Sequence, residues 1–244
     1  MCGIVGAIAR RNVMPLLLQG LQRLEYRGYD SAGVAVRQDS GKLKRFRALG
    51  KVSALRDLVA QSDISGEIGI AHTRWATHGV PSERNAHPLM SGVRVAVVHN
   101  GIIENHADLR QKLASRGYTF TSETDTEVIA HLMADKLESG LDLLTAVVEA
   151  ASELDGAYAL AVVSPEDDSR IVVARVGSPL VIGVGDGEHF IASDVTALLS
   201  ETKRFIFLEE GDVAEVHRDT ISIFNAQGES VQRPVKVSQL SGGS

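Results

Sequence analysis

Cysteine is scarce in this chain of 244 residues, and long apolar runs and an excess of positive charge are missing from it. Its single cysteine, Cys2, excludes an internal disulfide and is typical of a reducing compartment. No apolar stretch reaches the roughly 18 residues of a membrane-spanning helix, and the N-terminus lacks the basic and long apolar regions of a signal peptide. The net charge of −6 gives no reason to expect a nucleic-acid partner. These absences predict a cytoplasmic protein without a membrane or nucleic-acid partner.

Short apolar segments bounded by Gly, Asp or Pro recur along the chain and are typical of β-strands. They lie at 3–9, 31–36, 68–72, 93–99, 156–163, 170–176, 179–185, 189–193, 205–208, 212–216 and 221–224. Helical periodicity is found at 13–24, 52–60, 106–115, 126–138 and 141–153. Because many strands follow one another after short turns, the pattern favours antiparallel pairing and an α+β fold of two stacked sheets with helices on the outer faces.

The chain has no internal repeat, and we expect residues 1–240 to form one domain. The last four residues, SGGS at 241–244, are expected to be a linker or an added tail.

The position of Cys2 is the first feature that suggests chemistry. A thiol attacks as its thiolate, and its ordinary pKa near 8.5 means that it needs a base or an electropositive environment. Removal of Met1 would give Cys2 a free α-amine, whose pKa of about 7.7–8.0 lets it accept the thiol proton. The alternative is that Cys2 is only a small residue at the start of a strand.

A second feature is the segment VRVAVVHNGIIENH, in which an apolar strand runs into Asn100 and Gly101. Asn-Gly is most often a hairpin turn. The functional interpretation is an oxyanion hole, in which the Asn100 side chain and the Gly101 backbone each offer an N–H to a developing negative charge.

A third segment, HTRWATHGVPSERNAHP at 72–88, combines Arg74 at the end of a strand with the only tryptophan and three histidines. Five of the eight histidines fall between His72 and His106, which raises a metal site as an alternative, but neither HxH nor HExxH occurs. Arg74 offers a planar fork that suits a carboxylate. The plainer alternative is a solvated loop anchored by Trp75.

The fourth segment, ETDTEV at 123–128, is the predicted start of a helix, with Thr124 or Asp125 as its N-cap. Asp125 could instead present its carboxylate to an ammonium group. Together the four segments provide a thiol, an oxyanion hole, a cation and an anion. That set matches an amino acid with an amide side chain, and is consistent with amide hydrolysis through a thioester.

Several longer motifs carry a family resemblance over nearly the whole chain. They are MCGIVG at the start, LEYRGYDSAG at 24–33, GIAHTRWATHG at 69–79, NAHP at 85–88, HNGIIENH at 99–106, SETDTEVIAHL at 122–132, GSPLVIG at 177–183 and FIFLEEGD at 205–212. They resemble the glutaminase domains of class II, or N-terminal nucleophile, glutamine amidotransferases. The RWATHG and YRGYDSAG forms favour the branch of glutamine–fructose-6-phosphate aminotransferases (glucosamine-6-phosphate synthases).

The resemblance implies that Cys2 is the nucleophile and, through its own amine, the base, with Asn100 and Gly101 as the oxyanion hole. Arg74 would bind the α-carboxylate of glutamine and Asp125 its α-ammonium. The implied substrate-binding residues are Arg27, Arg74, Trp75, Thr77, His78, His87, Gly101 and Asp125. Among these, Trp75 belongs to a loop that closes over glutamine in the family.

The resemblance also implies a four-layer αββα sandwich and a reaction that needs no metal or organic cofactor. L-glutamine is the expected partner, and ammonia formed from it would convert fructose 6-phosphate to glucosamine 6-phosphate in the full-length enzyme. We expect the C-terminal sugar-isomerase domains of that branch to be missing from this chain, and, because dimerisation rests largely on them, we expect the isolated domain to be monomeric. Two alternatives remain: the glutaminase domain of another class II enzyme, such as an amidophosphoribosyltransferase, and a non-catalytic glutamine-binding module that retains Met1.

Overall fold

A computed structural model describes residues 1–241, and within them the strands form an eight-stranded and a seven-stranded antiparallel sheet. The strands are β1 (Gly3–Ile8), β2 (Ser31–Arg37), β3 (Leu43–Leu49), β4 (Ile68–Arg74), β5 (Leu89–Ser91), β6 (Val95–Ile103), β7 (Gly156–Val163), β8 (Ile171–Val176), β9 (Val181–Val184), β10 (His189–Ala192), β11 (Arg204–Phe207), β12 (Val213–Val216), β13 (Ile221–Phe224), β14 (Ser230–Val231) and β15 (Val235–Val237). The first sheet has the order β15-β11-β9-β10-β1-β4-β2-β3, and the second β14-β13-β12-β8-β7-β6-β5.

Five α-helices cover the sheets within the described residues. They are α1 (Met14–Leu24), α2 (Val52–Ala60), α3 (His106–Ser115), α4 (Thr126–Glu138) and α5 (Leu143–Ser152), with short 3-10 helices at Glu25–Arg27, Glu83–Asn85 and Val195–Ala197. Pro15 suits the first turn of α1, where its missing N–H costs nothing. Asp142 caps α5 by accepting the Thr145 N–H.

Three apolar clusters define four layers. One cluster lies between the first sheet and α1 with α2, and includes Leu17 and Val34. A second lies between the second sheet and the helices α3 to α5, and includes Val97 and Met133. The third, with Ile70 as a member, lies between the two sheets. The expected α+β fold, an αββα sandwich, is therefore confirmed.

The predicted helices and strands all appear, but four strands were missed. The strand β3, with the sequence LKRFRAL, carries three basic residues and lies at a sheet edge, so its apolar signal is weak. The strands β5, β14 and β15 have only two or three residues. The predicted segment 93–99 is displaced, because β6 continues to Ile103 through the polar residues of the HNG motif.

The predicted boundary at residue 240 stays a prediction. Of the expected tail at 241–244, residues 242–244 lie outside the described residues. No helix within residues 1–241 has the length and apolar character needed to cross a bilayer.

A buried carboxylate fixes the loop before α4. Glu127 is 2% exposed and accepts the backbone N–H groups of Thr121, at 2.9 Å, and Ser122, at 2.6 Å. Its carboxylate also lies 3.1 Å from Nε2 of His131. Burial raises the pKa of Glu127, but the hydrogen bonds from His131, Ser122 and Thr121 outweigh it and lower that pKa to about 2.

Replacing this carboxylate should therefore destabilise the fold in a pH-dependent way. A depressed pKa contributes stability that is present above the unfolded value near 4.5 and is lost as the pH falls towards 2. We expect Glu127→Gln to lower the free energy of unfolding by about 1–3 kcal/mol at pH 7, with a smaller loss at pH 3, in urea titrations. Glu138→Gln, an exposed carboxylate of the same helix, is the control and should change little. An equal loss for Glu127→Gln at both pH values would contradict this role.

Candidate active site

The start of β1 places the thiol against the end of β4. Gly3 pairs with Thr73, so Cys2 comes alongside Arg74 and Trp75. The Cys2 Sγ accepts the Trp75 N–H at 3.2 Å and lies 3.4 Å from the Trp75 carbonyl oxygen. The thiol is therefore held by backbone contacts, and its position depends on the register between these two strands.

Asn100 and Gly101 lie inside β6 and not in a hairpin turn, and they pair with Ala159 and Tyr158 of β7. The Asn100 side-chain amide donates to the Cys2 carbonyl oxygen at 3.1 Å. Gly101 has φ +124°, and a Cβ there would lie 2.1 Å from the Ala157 carbonyl oxygen. Only glycine fits this position, and it leaves the backbone beside Asn100 uncovered.

Arg74 ends β4 and is only 3% exposed. Its guanidinium donates to the His78 carbonyl and, at 3.5 Å, to the carbonyl oxygens of Gly79 and Val80. The donors that could bind a carboxylate are thus used to hold the loop at 75–82 against the sheet.

Asp30 secures the start of that loop. Its carboxylate accepts the Ala76 N–H at 2.5 Å and lies 3.8 Å from the nearest nitrogen of Arg74. Beyond the loop, a Cβ on Gly33 would lie 1.8 Å from the His87 carbonyl oxygen, so the SAG motif lets the returning chain pass close to β2. The start of the loop is therefore held by the residue before β2, and the chain that follows the loop packs against β2 itself.

Asp125 is the N-cap residue of α4 and is 4% exposed, but its side chain makes no capping hydrogen bond. Its carboxylate accepts the Ile103 N–H at 2.9 Å and lies 4.0 Å from Nδ1 of His78. The Thr124 hydroxyl accepts the Glu127 N–H at 3.2 Å instead. Of the two predicted residues, Asp125 therefore occupies the N-cap position and Thr124 supplies the side-chain hydrogen bond, which leaves the Asp125 carboxylate at the site.

Arg27 lies on the other side of the thiol. Its guanidinium forms an ion pair with Asp194 at 2.9 Å, and its carbonyl accepts the Met1 ammonium at 2.7 Å. The first two residues are thus pinned between Arg27 and Trp75.

Two adjoining cavities meet at Cys2. The larger, of about 240 Å³, is lined by Met1, Cys2, Arg27, Trp75, Thr77, Asn100, Gly101, Ile102, Ser178, Pro179 and Ser193. The smaller, of about 20 Å³, is lined by Cys2, Arg74, Trp75, Thr77, His87, His99, Gly101, Thr124, Asp125 and Thr126. Apart from His78, which approaches Asp125, every predicted site residue lines one of the two, so the structure brings the whole predicted set together.

Several residues around these cavities were not predicted. Asp30 and His72 lie within the YRGYDSAG and GIAHTRWATHG motifs, where an acidic side chain and an imidazole could have indicated further site residues. Ser178 and Ser193 come from the loops after β8 and β10, and nothing in their local sequence indicates a site.

The buried histidines beside the site form a hydrogen-bonded cluster. His99 donates its backbone N–H to the ring of His87 at 3.3 Å, and its own ring lies 2.9 Å from the Thr126 hydroxyl. Burial lowers the pKa of His72, His87 and His99, so all three rings are neutral at pH 7. Within residues 1–241, no three His, Cys, Asp or Glu side chains are arranged to hold a metal ion.

The electrostatics of the thiol follow from its burial. Burial raises the pKa of Cys2 above 9.0, and the nearby charge of Asp30 acts in the same direction. The Trp75 N–H, the N-terminal ammonium and Arg74 oppose this rise without cancelling it. A chain that carries Met1 therefore holds Cys2 as the neutral thiol at pH 7.

Comparison with known proteins identifies a family and relatives that match this chain. A family model described as a glutamine amidotransferase domain matches residues 72–200. The chain is 60% identical over 233 residues to the glutamine–fructose-6-phosphate aminotransferase (isomerizing) of Pseudomonas aeruginosa, covering 96% of this chain and 38% of that protein. The same enzyme of Yersinia pseudotuberculosis is 59% identical over 240 residues, covering 98% and 39%. The chain thus spans less than half the length of these relatives.

Solved structures share the fold. A glutamine phosphoribosylpyrophosphate amidotransferase from B. subtilis, in complex with ADP and GMP, superposes with a TM-score of 0.78 at 26% identity. The superposition covers 92% of this chain and 49% of that one. A glutamine aminotransferase class-II domain protein from Silicibacter pomeroyi superposes with a TM-score of 0.63 at 16% identity, over 92% and 99% of the two chains, which supports the fold alone.

The raised thiol pKa can be tested by alkylation, because Cys2 is the only cysteine. For the chain that carries Met1, we expect the pH profile of the iodoacetamide reaction, scaled to its plateau, to have a higher midpoint when folded than when unfolded in urea. Scaling each profile to its plateau separates a change in the pKa of the thiol from a lower rate that results only from shielding of the buried thiol. An equal or lower midpoint in the folded chain would contradict the assignment.

Proposed function

Because this chain belongs to the glutamine amidotransferase domain family, we propose that it hydrolyses the side-chain amide of L-glutamine to glutamate and ammonia through a γ-glutamyl thioester on Cys2. The observation that carries the proposal is the convergence of the thiol, the Asn100 amide and Arg74 on one end of the sandwich. Asp125 supplies the opposite charge in the smaller cavity. This arrangement matches the three polar groups of glutamine.

The base is the α-amine of Cys2 after Met1 is removed. While Met1 is present, the nitrogen of Cys2 is an amide and cannot accept a proton, and the terminal ammonium is bound to the Arg27 carbonyl. Loss of Met1 gives Cys2 an amine with a pKa of about 7.7–8.0, neutral in part at cellular pH. This amine takes the thiol proton directly or through a water molecule, which overcomes the raised pKa of the thiol.

The thiolate then attacks the amide carbon of glutamine, and the carbonyl oxygen becomes an oxyanion that Asn100 and Gly101 stabilise through their N–H groups. The carbon–nitrogen bond breaks, and the protonated amine passes its proton to the leaving ammonia. Water, deprotonated by the same amine, attacks the thioester, and glutamate leaves as the Cys2 thiol is restored.

The smaller cavity, which Arg74 and Asp125 line, can take the amino-acid end of glutamine only when the loop at 75–82 moves. The smaller cavity has room for about one or two water molecules, since one water needs roughly 10–15 Å³. Opening frees Arg74 from the carbonyls of His78, Gly79 and Val80, and its fork then binds the α-carboxylate, with Thr77 and His78 beside it. Asp125 holds the α-ammonium, while Trp75, which is 53% exposed, moves with the loop.

In a full-length protein of the kind matched here, the ammonia would pass to fructose 6-phosphate and give glucosamine 6-phosphate. The identity of 60% to an aminotransferase with that acceptor, against 26% to a phosphoribosylpyrophosphate enzyme, favours this assignment. The amidophosphoribosyltransferase alternative rests on the shared fold, and the sequence that follows residue 244 in the gene would decide between them. A non-catalytic glutamine-binding module would require that Met1 is retained in the cell, which intact mass measures.

The thiol and the oxyanion hole are tested by glutamine turnover in chains whose intact mass shows loss of Met1. We expect Cys2→Ala to abolish hydrolysis and still bind glutamine in calorimetry. Asn100→Ala should lower kcat by about 10²–10³, as expected when one oxyanion donor is lost. Full activity of Cys2→Ala would sink the mechanism, and an unchanged kcat in Asn100→Ala would remove the oxyanion role.

The role of Arg74 is tested by a change that keeps its charge. Lysine cannot form two parallel hydrogen bonds to a carboxylate, so Arg74→Lys should raise KM for glutamine by about tenfold or more, with a smaller effect on kcat. The control is Arg37→Lys, since Arg37 of the same sheet also donates to a backbone carbonyl, that of Pro165, away from Cys2. A KM equal to that of the control would refute carboxylate binding by Arg74.

A further inference from the structure

The two sheets face each other with their side chains interleaved, and this brings one more polar residue to the oxyanion hole. Along β4, Ile68 and Ile70 lie in the layer between the sheets, and His72 follows on the same side of the strand. Along β6, Val98 lies in that layer, and Asn100 follows in the same way. The imidazole of His72 and the amide of Asn100 therefore meet where the apolar layer ends.

The contact between them has a defined direction. Nε2 of His72 lies 3.0 Å from Oδ1 of Asn100 and 3.0 Å from the His99 carbonyl oxygen. Both oxygens accept hydrogen bonds, so Nε2 carries the proton and donates to both. With its oxygen turned towards His72, the amide of Asn100 directs its NH₂ group towards Cys2, where it donates to the Cys2 carbonyl at 3.1 Å.

The ring of His72 is itself fixed in position and charge. It stacks on His87 with ring centroids 3.9 Å apart and planes inclined by 10°. Burial lowers the pKa of His72 to about 3, although the hydrogen bond to Asn100 acts in the other direction. Nδ1 of this fully buried ring has no partner among the described residues, as expected for a neutral imidazole whose one proton is on Nε2.

We propose that His72 is a positioning residue of the oxyanion hole, which holds the Asn100 amide so that its NH₂ group, and not its oxygen, faces the reacting carbonyl. An amide turned by half a rotation would present an acceptor to the oxyanion and repel it, so the orientation decides whether Asn100 stabilises or opposes the reaction. This inference rests on the glutaminase function proposed above.

The test is a double-mutant cycle on glutamine hydrolysis by the Met1-free protein. The change His72→Phe keeps an aromatic ring for the stack and removes the donor. We expect it to lower kcat by about 10- to 100-fold, with KM within about threefold of the wild type, because only the oxyanion is affected. In the Asn100→Ala background the same change should alter kcat by less than about threefold, because the group through which His72 acts is already gone.

Two further variants separate positioning from a general structural role. His72→Gln places an amide donor near the position of Nε2, and we expect its kcat to be at least tenfold higher than that of His72→Phe. His189→Phe is the matched control, a buried histidine of the same sheet whose ring accepts the Gly185 N–H, and its kcat should stay within about twofold of the wild type.

A measurement on the unmodified protein covers the case in which His72→Phe fails to fold. Nitrogen-15 NMR of the histidine rings should show His72 as the Nε2–H tautomer, without titration from pH 5 to 8. The opposite tautomer, or a ring that titrates in this range, would overturn the proposal.

The kinetic outcomes are equally decisive. A wild-type kcat in His72→Phe, or an equal loss with and without Asn100, removes the positioning role while the glutaminase function stands. An unchanged kcat in Asn100→Ala is a failure of the proposed oxyanion hole itself, so the two failures can be told apart.

Discussion

The face-to-face packing of two antiparallel sheets is the constraint on which the site depends. Ile4, Ile70, Val98 and Ala159 belong to the apolar layer between the sheets, and all four are fully buried. The packing of these residues sets how β1, β4 and β6 lie against one another. It therefore also sets the relative positions of the polar residues on and next to these strands. The thiol comes just before β1, Arg74 ends β4 and Asn100 lies within β6, so a shift of register would separate them.

Burial of the site where Cys2, Arg74 and Asn100 meet has two opposite effects on the chemistry. It strengthens the hydrogen bonds that would act on an oxyanion, and it raises the pKa of the Cys2 thiol, which makes the thiolate harder to form. The second effect explains why the position of the cysteine matters: an amine on the same residue brings a base of suitable pKa without a further buried charge. The buried guanidinium of Arg74 likewise has acceptors, because it donates to the carbonyl oxygens of His78 and Gly79 in the loop.

Much of this arrangement could be predicted from the sequence, because strong local patterns specify it. The helical periodicity at 13–24 and the apolar runs of the central strands predicted the layers, and the family resemblance carried by the motifs implied the ten candidate site residues. What local patterns cannot give is contact across the sheet interface. The strand β3 looks polar because it lies at an edge, Asn100 and Gly101 lie in a strand although Asn-Gly favours turns, and the Asp125 side chain accepts the Ile103 N–H instead of making a capping hydrogen bond. The partnership of His72 with Asn100 likewise joins residues from different sheets.

The proposed mechanism requires that the N-terminal cysteine, freed of Met1, forms the covalent intermediate with glutamine. Its most direct test is peptide mass spectrometry of Met1-free and Met1-bearing chains after reaction with a diazoketone analogue of glutamine. This mechanism predicts a single adduct, on Cys2 of the N-terminal peptide, which forms at least tenfold more slowly when Met1 is present. An adduct on any other residue, or equal rates for the two chains, would contradict it.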